Sequence, residues 1–196
     1  MKSIQGKALS NLNKLFHFIG LGGAGSNVLE GIYAKGFHAK FTCISNPARP
    51  HLPDKIHFLK FIPPGQTSYP RGRASSGFSD LNTPLHLTRE IKEVFTENER
   101  YILLAGLGGY TGTKLVEQLI TWLHENDKEF MVICSMPYAF EGERRLYASS
   151  IVKKFQMLPN FHYYDPELDF EELGSLTIKA TNEKFWVLFK ENYLKV

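Results

Sequence analysis

Only two cysteines, Cys43 and Cys134, occur in the 196 residues. That is too few soft ligands, spaced too widely, for a structural zinc site. Each sits in an apolar run that reads as a buried strand, so both read as core thiols and not as a disulfide or a metal pair. No apolar run approaches the length of a bilayer span, and residues 1–14 are polar and have no apolar stretch of the kind a secretory leader needs. The cytoplasm is therefore the expected compartment. One-sided charge is also missing: 23 Lys and Arg against 20 Asp and Glu give a net charge of +3, too mild a balance to predict nucleic-acid binding. Arg71 and Arg73 lie close in sequence, as do Arg144 and Arg145, but there is no long basic run. There is neither an internal repeat nor a linker-like stretch. One domain over 1–196, with 1–13 flexible, is the simplest reading.

Hydrophobic residues make up 43% and charged residues 22% of the chain, ordinary for a folded domain with a sizeable core. Apolar runs alternate with segments of helical periodicity. Strands are expected at 15–21, 39–45, 55–62, 101–107, 130–136 and 161–164. Helices are expected at 26–35, 87–98, 113–125, 143–157 and 177–193. Residues 63–84, rich in Pro, Gly, Ser and Thr, read as a long loop. This alternation predicts an α/β fold, a mostly parallel, Rossmann-like three-layer sheet with helices on both faces. In such sheets ligands bind beyond the carboxyl ends of the strands, so the loops that follow strands carry the chemistry.

The first such loop is Gly20-Leu21-Gly22-Gly23-Ala24-Gly25-Ser26-Asn27. Glycines allow close backbone approach, and the helix start beyond them offers N–H groups and a positive dipole end, which suits a phosphate. Tight strand–helix packing without a ligand is the bland alternative. A dinucleotide-binding Rossmann site needs an acidic residue about 20 positions on to hold the ribose. The second strand ends instead in Ser45-Asn46-Pro47, which weighs against NAD. The paired CxxC motifs common in adenylating enzymes with a similar loop are absent as well. A second glycine loop, Gly106-Leu107-Gly108-Gly109-Tyr110-Thr111-Gly112-Thr113-Lys114, leaves the fourth strand and adds hydroxyl donors at another helix start.

These loops, together with Pro137-Tyr138-Ala139-Phe140-Glu141-Gly142-Glu143-Arg144-Arg145 after the fifth strand, carry a family resemblance. The second loop resembles the GGGTGTG signature of the FtsZ/tubulin family, the first its GGAGxN, and the third the PFxFEGxxR stretch of the FtsZ branch. The three stand in family order, and the likeness covers roughly residues 15 to 195. It implies the N-terminal GTP-binding domain of that family, with GTP or GDP as ligand and Mg2+ as a candidate accompanying ion. Residue by residue, it implies phosphate contacts at Gly22, Gly23, Ala24 and Gly25, a guanine contact at Asn27, and further phosphate contacts at Gly108, Gly109, Tyr110, Thr111, Gly112 and Thr113. It implies a ribose contact at Glu141, a cation near the nucleotide at Arg145 and, by a looser alignment of the last helix, base pairing by Asn182. Glu141 also suits a carboxylate complementing a helix dipole, and Arg145 a solvated helix face. Ile178 and Phe185 suit core positions.

The departures bear on activity. Tyr110 replaces a loop glycine and either covers the site or crowds a γ-phosphate. Lys114 replaces the final glycine and points either at the phosphates or at solvent. Residues 65–73 stand where the family has a glycine-rich γ-phosphate loop, and Asn46-Pro47-Ala48 where it has Asn-Thr-Asp. The sequence stops where the family's acidic synergy loop and second domain would follow. The resemblance therefore implies a guanine-nucleotide-binding protein with no catalytic or metal-ligating residue of its own and little intrinsic hydrolysis. Its role would be regulatory or interactive in cell division or cytoskeletal assembly, with full-length FtsZ or a second copy as partner. Three alternatives stay open: a GTPase completed by a partner's acidic loop, a degenerate scaffold without nucleotide, and a Rossmann-type dinucleotide or adenylate enzyme.

Overall fold

In strand β1 (Phe16–Leu21), Phe18 packs into one core and Ile19 and Leu21 into another. All three are fully buried, so this strand is covered on both faces, as its unbroken apolar run demands. The computed structural model describes residues 15–46, 52–63, 84–97, 99–168 and 178–193. Its strands are β1, β2 (Lys40–Ser45), β3 (His57–Lys60), β4 (Arg100–Gly106), β5 (Phe130–Ser135) and β6 (Phe161–Tyr164). They form one sheet in the order β3-β2-β1-β4-β5-β6, with every pairing parallel.

The helices divide between the two faces. Helix α1 (Gly22–Tyr33) and helix α5 (Ile178–Tyr193) cover one, burying Val28, Leu29, Ile32, Phe185 and Phe189 against Phe18, Ile102, Leu104 and Ile133. Helices α2 (Arg89–Glu93), α3 (Tyr110–Glu125) and α4 (Glu143–Phe155) cover the other, against Ile19, Leu103, Val132 and Cys134. The period of two along β4 shows the division directly: Tyr101, Leu103 and Ala105 join one core, Ile102 and Leu104 the other. The three-layer parallel fold read from the sequence is the fold observed. Neither cysteine forms a disulfide and both are buried in these cores, as expected. No helix of the described residues is long and apolar enough to cross a membrane.

Several boundaries differ from the expected ones. Helices α1 and α3 begin at Gly22 and Tyr110 rather than at 26 and 113, so the glycine-rich turns are themselves first helical turns. The expected helix over 87–98 shrinks to Arg89–Glu93, with Thr88 Oγ1 accepting from the Ile91 N–H at its start. Beyond it, i→i+3 bonds from Val94 to Ile91 and from Phe95 to Lys92 tighten the chain toward β4. Strand β3 keeps only four residues because, as an edge, it pairs with β2 alone. Most of the long 63–84 loop and the 1–13 segment lie outside the described residues.

Candidate functional site

The strand order reverses between β1 and β4, and the two glycine turns leave those neighbouring strands at the same end, where Leu21 is in register with Ala105. This is the switch point at which parallel sheets open a crevice. The turns touch. Gly22 has φ +69°, and a Cβ there would stand 3.1 Å from the Gly112 N and 3.4 Å from the Thr111 Cβ. A Cβ on Gly112 would come 2.6 Å from the Gly106 O. Side chains are excluded from the seam, and the backbones line the space above it.

That space is a cavity of about 430 Å³, lined by Gly22, Gly23, Ala24, Gly109, Tyr110, Thr111, Gly112 and Glu141 among the residues expected from the sequence. Helices α1 and α3 both start on it. Neither start has a side-chain cap hydrogen bond, and neither first turn carries an acidic residue. The positive ends of two helix dipoles therefore meet at one cavity with no first-turn carboxylate offsetting them.

The other expected residues lie elsewhere. Gly25, in the first turn of α1, packs against β4, where a Cβ would stand 2.1 Å from the Leu104 O. The Thr113 hydroxyl is buried and accepts from the Gly108 N–H at 2.9 Å, so this pair shapes the turn from within. Asn27 and Asn182 do not line the cavity. Asn182 packs on α1 at Gly31, where a Cβ would meet its Nδ2 at 2.4 Å, and its Oδ1 is buried without a partner among the described residues. Arg145 also stays outside. Its Nη1 and Nη2 donate to Asp165 at 3.0 and 2.7 Å, and Nη1 to the Pro137 carbonyl at 2.5 Å. Lys114 points to neither alternative raised by the sequence, because its ammonium lies 5.7 Å from the Tyr147 ring centroid and beside Glu117. Tyr110 is buried at the cavity wall. The Ile178 side chain, and residues 65–73 and 47–48, lie outside the described residues.

The structure adds wall residues that the motifs did not single out: Asn46, Ser135, Tyr138 and Arg144. The Asn46 Nδ2 is buried without a partner among the described residues, a donor for which those residues supply no acceptor. Glu141 accepts from the Tyr138 N–H at 3.0 Å and from Arg144 Nη1 at 2.5 Å. Burial, reinforced by Glu141 and Glu167, raises the pKa of the Tyr138 hydroxyl above its ordinary value. Position at a strand end was the available signal, since Asn46 follows directly on β2 and Ser135 closes β5.

No protein-family model matches the chain. It is similar to the cell division protein FtsZ 1 of Halobacterium salinarum, 27% identical over 137 residues, which is 70% of this chain and 35% of that protein. It is also similar to FtsZ of Helicobacter pylori, 27% identical over 130 residues, or 65% of this chain and 33% of that one. The chain thus spans about a third of the length of these relatives. Among solved structures, an empty FtsZ dimer from M. jannaschii shares the fold with TM-score 0.68 at 19% identity, covering 99% of this chain and 59% of that one. A TubZ protofilament from bacteriophage PhiKZ does so with TM-score 0.60 at 15% identity, covering 91% and 55%. Sequence likeness and fold point the same way: the chain is similar to FtsZ proteins over about a third of their length and shares the fold of FtsZ and TubZ.

Proposed function

We propose that this protein binds a guanine nucleotide, GTP or GDP, at the β1/β4 cavity and acts as an FtsZ-like regulatory or interaction factor with little hydrolysis of its own. The observation that carries this reading is the meeting of two helix starts, both without side-chain caps, on one cavity at the sheet's switch point. The Asn46 Nδ2 on the same wall, without a partner among the described residues, supports it, as does a relative's structure described as phage tubulin PhuZ with GDP. Low turnover fits the wall chemistry. Among the described residues, Glu141 is the one carboxylate lining the cavity, and it is already paired with Arg144. No second described carboxylate lines the cavity to orient an attacking water while Glu141 serves the ligand.

The test is thermal unfolding with GTP, GDP, ATP and NAD, with phosphate release followed on the same samples. A ligand that binds only the folded state raises the midpoint. A rise with guanine nucleotides and little phosphate release is expected, whereas a rise with NAD alone would move the protein to the dinucleotide class. Solved relatives are described as a dimer and as protofilaments. A full-length FtsZ is accordingly the partner we propose, and unchanged FtsZ sedimentation in the presence of this protein would remove it.

A further inference from the structure

The two arginines that open α4 leave it in different directions. Arg145 is held by two bonds to the Asp165 carboxylate and a third to the Pro137 carbonyl, and it does not reach the cavity. Arg144 lines the cavity. Its Nε donates to the Gly108 carbonyl at 3.2 Å and its Nη1 to Glu141 Oε2 at 2.5 Å. Its Nη2 lies 3.7 Å from where a Cβ on Gly109 would stand, so the guanidinium rests on the turn that begins α3. We propose that Arg144, and not Arg145, is the cation that contacts the ligand's phosphates, and that its pairing with Glu141 is a latch which an arriving phosphate opens. The proposal rests on the nucleotide reading given above.

The energetics of exchange favour this assignment. The Arg144 side chain is 47% exposed and meets Glu141 through one nitrogen. Such a pair is weak and exchanges readily. A phosphate presents several charged oxygens to the same fork and forms stronger, charge-assisted bonds. Arg145 would have to abandon a two-point pair whose side chains are 24% and 12% exposed, leaving Asp165 uncompensated. When Arg144 turns to phosphate, Glu141 keeps the Tyr138 N–H and its second oxygen becomes available to a ligand hydroxyl.

Titration calorimetry with GDP, pyrophosphate and guanosine tests the proposal. Arg144→Gln should weaken GDP and pyrophosphate by roughly tenfold or more, the loss expected for a hydrogen bond to a charged group, and leave guanosine within about twofold. Glu141→Gln should tighten pyrophosphate, because the competing carboxylate is gone. Arg145→Gln should lower the melting temperature while leaving the GDP affinity of the folded protein within about twofold, and Arg145→Lys keeps the comparison if Gln prevents folding. Undiminished GDP binding by Arg144→Gln, or pyrophosphate binding unchanged or weakened by Glu141→Gln, would overturn the proposal and leave the nucleotide reading standing. A wild-type protein that binds neither GDP nor pyrophosphate would bring down both.

Discussion

At Gly25 a methyl group has no room, because its carbon would sit 2.1 Å from the Leu104 carbonyl oxygen, and backbone cannot step aside as a side chain can. Gly109, in the second turn, is different. Its φ of −96° and ψ of 153° suit any residue, and the nearest atom to an added Cβ is Arg144 Nη2 at 3.7 Å. Both glycines belong to family motifs, yet only the first is required by packing. Gly25→Ala should cost about 3 kcal/mol or more, the upper range for forcing volume into a packed site. Gly109→Ala should change stability by less than about 1 kcal/mol, since its conformation already accommodates a side chain. Urea unfolding of the two variants checks this, and equal midpoints would refute it. The same reasoning separates Thr113, whose hydroxyl holds the Gly108 N–H, from Thr111, which lines the cavity.

Elements that pack on both faces were legible because burial imposes an unbroken apolar run. The stretch 101–105, for example, is buried at every residue, and such an apolar run reads as a strand. The starts of α1 and α3 were not legible, because glycine's low helix propensity argues for loop. Here tertiary contact overrides it: only glycine lets α1 lie against β4, and Gly112 lets α3 close on Gly106. The site was legible as three motifs but not as side-chain directions. Two adjacent arginines in one helical turn point about 100° apart, and only coordinates tell which enters the cavity. In helix α5 the structure shows what one of the apolar residues does. Phe189 is fully buried, edge-on to Phe16 at 5.3 Å and to Phe18 at 5.0 Å, and 5.5 Å from Trp186. Phe189→Ala should cost about 3–5 kcal/mol, seen as a lower urea midpoint. A loss below about 1 kcal/mol would mean that α5 is not a packed part of this face.

Stability of the whole molecule should carry the signature of a buried imidazole at the sheet end opposite the cavity. His17 is 6% exposed, with Nδ1 2.8 Å from Glu99 Oε2 and Nε2 2.8 Å from Thr42 Oγ1, joining β1 and β2 to the residue that precedes β4. Lys40 and Glu97 stand beside this group, Lys40 pairing with both carboxylates, and the Tyr101 ring packs on the imidazole at 5.7 Å. Burial lowers the His17 pKa from its ordinary 6.5 and outweighs the opposing pull of Glu99. Burial lowers that of His162 in the same direction. In the unfolded chain both imidazoles take up protons as the pH falls through 6.5, while the folded protein resists. The unfolded state then binds more protons, so stability drops on acidification below that point and is flat above it, where both states are neutral. Urea midpoints measured from about pH 8 to about pH 5 should therefore hold steady and then decline, and His17→Gln should flatten the decline even though it lowers the plateau. A midpoint that rises on acidification through this window would show that the Glu99 attraction exceeds the cost of burying a charged ring, reversing the order of the two forces at this sheet end.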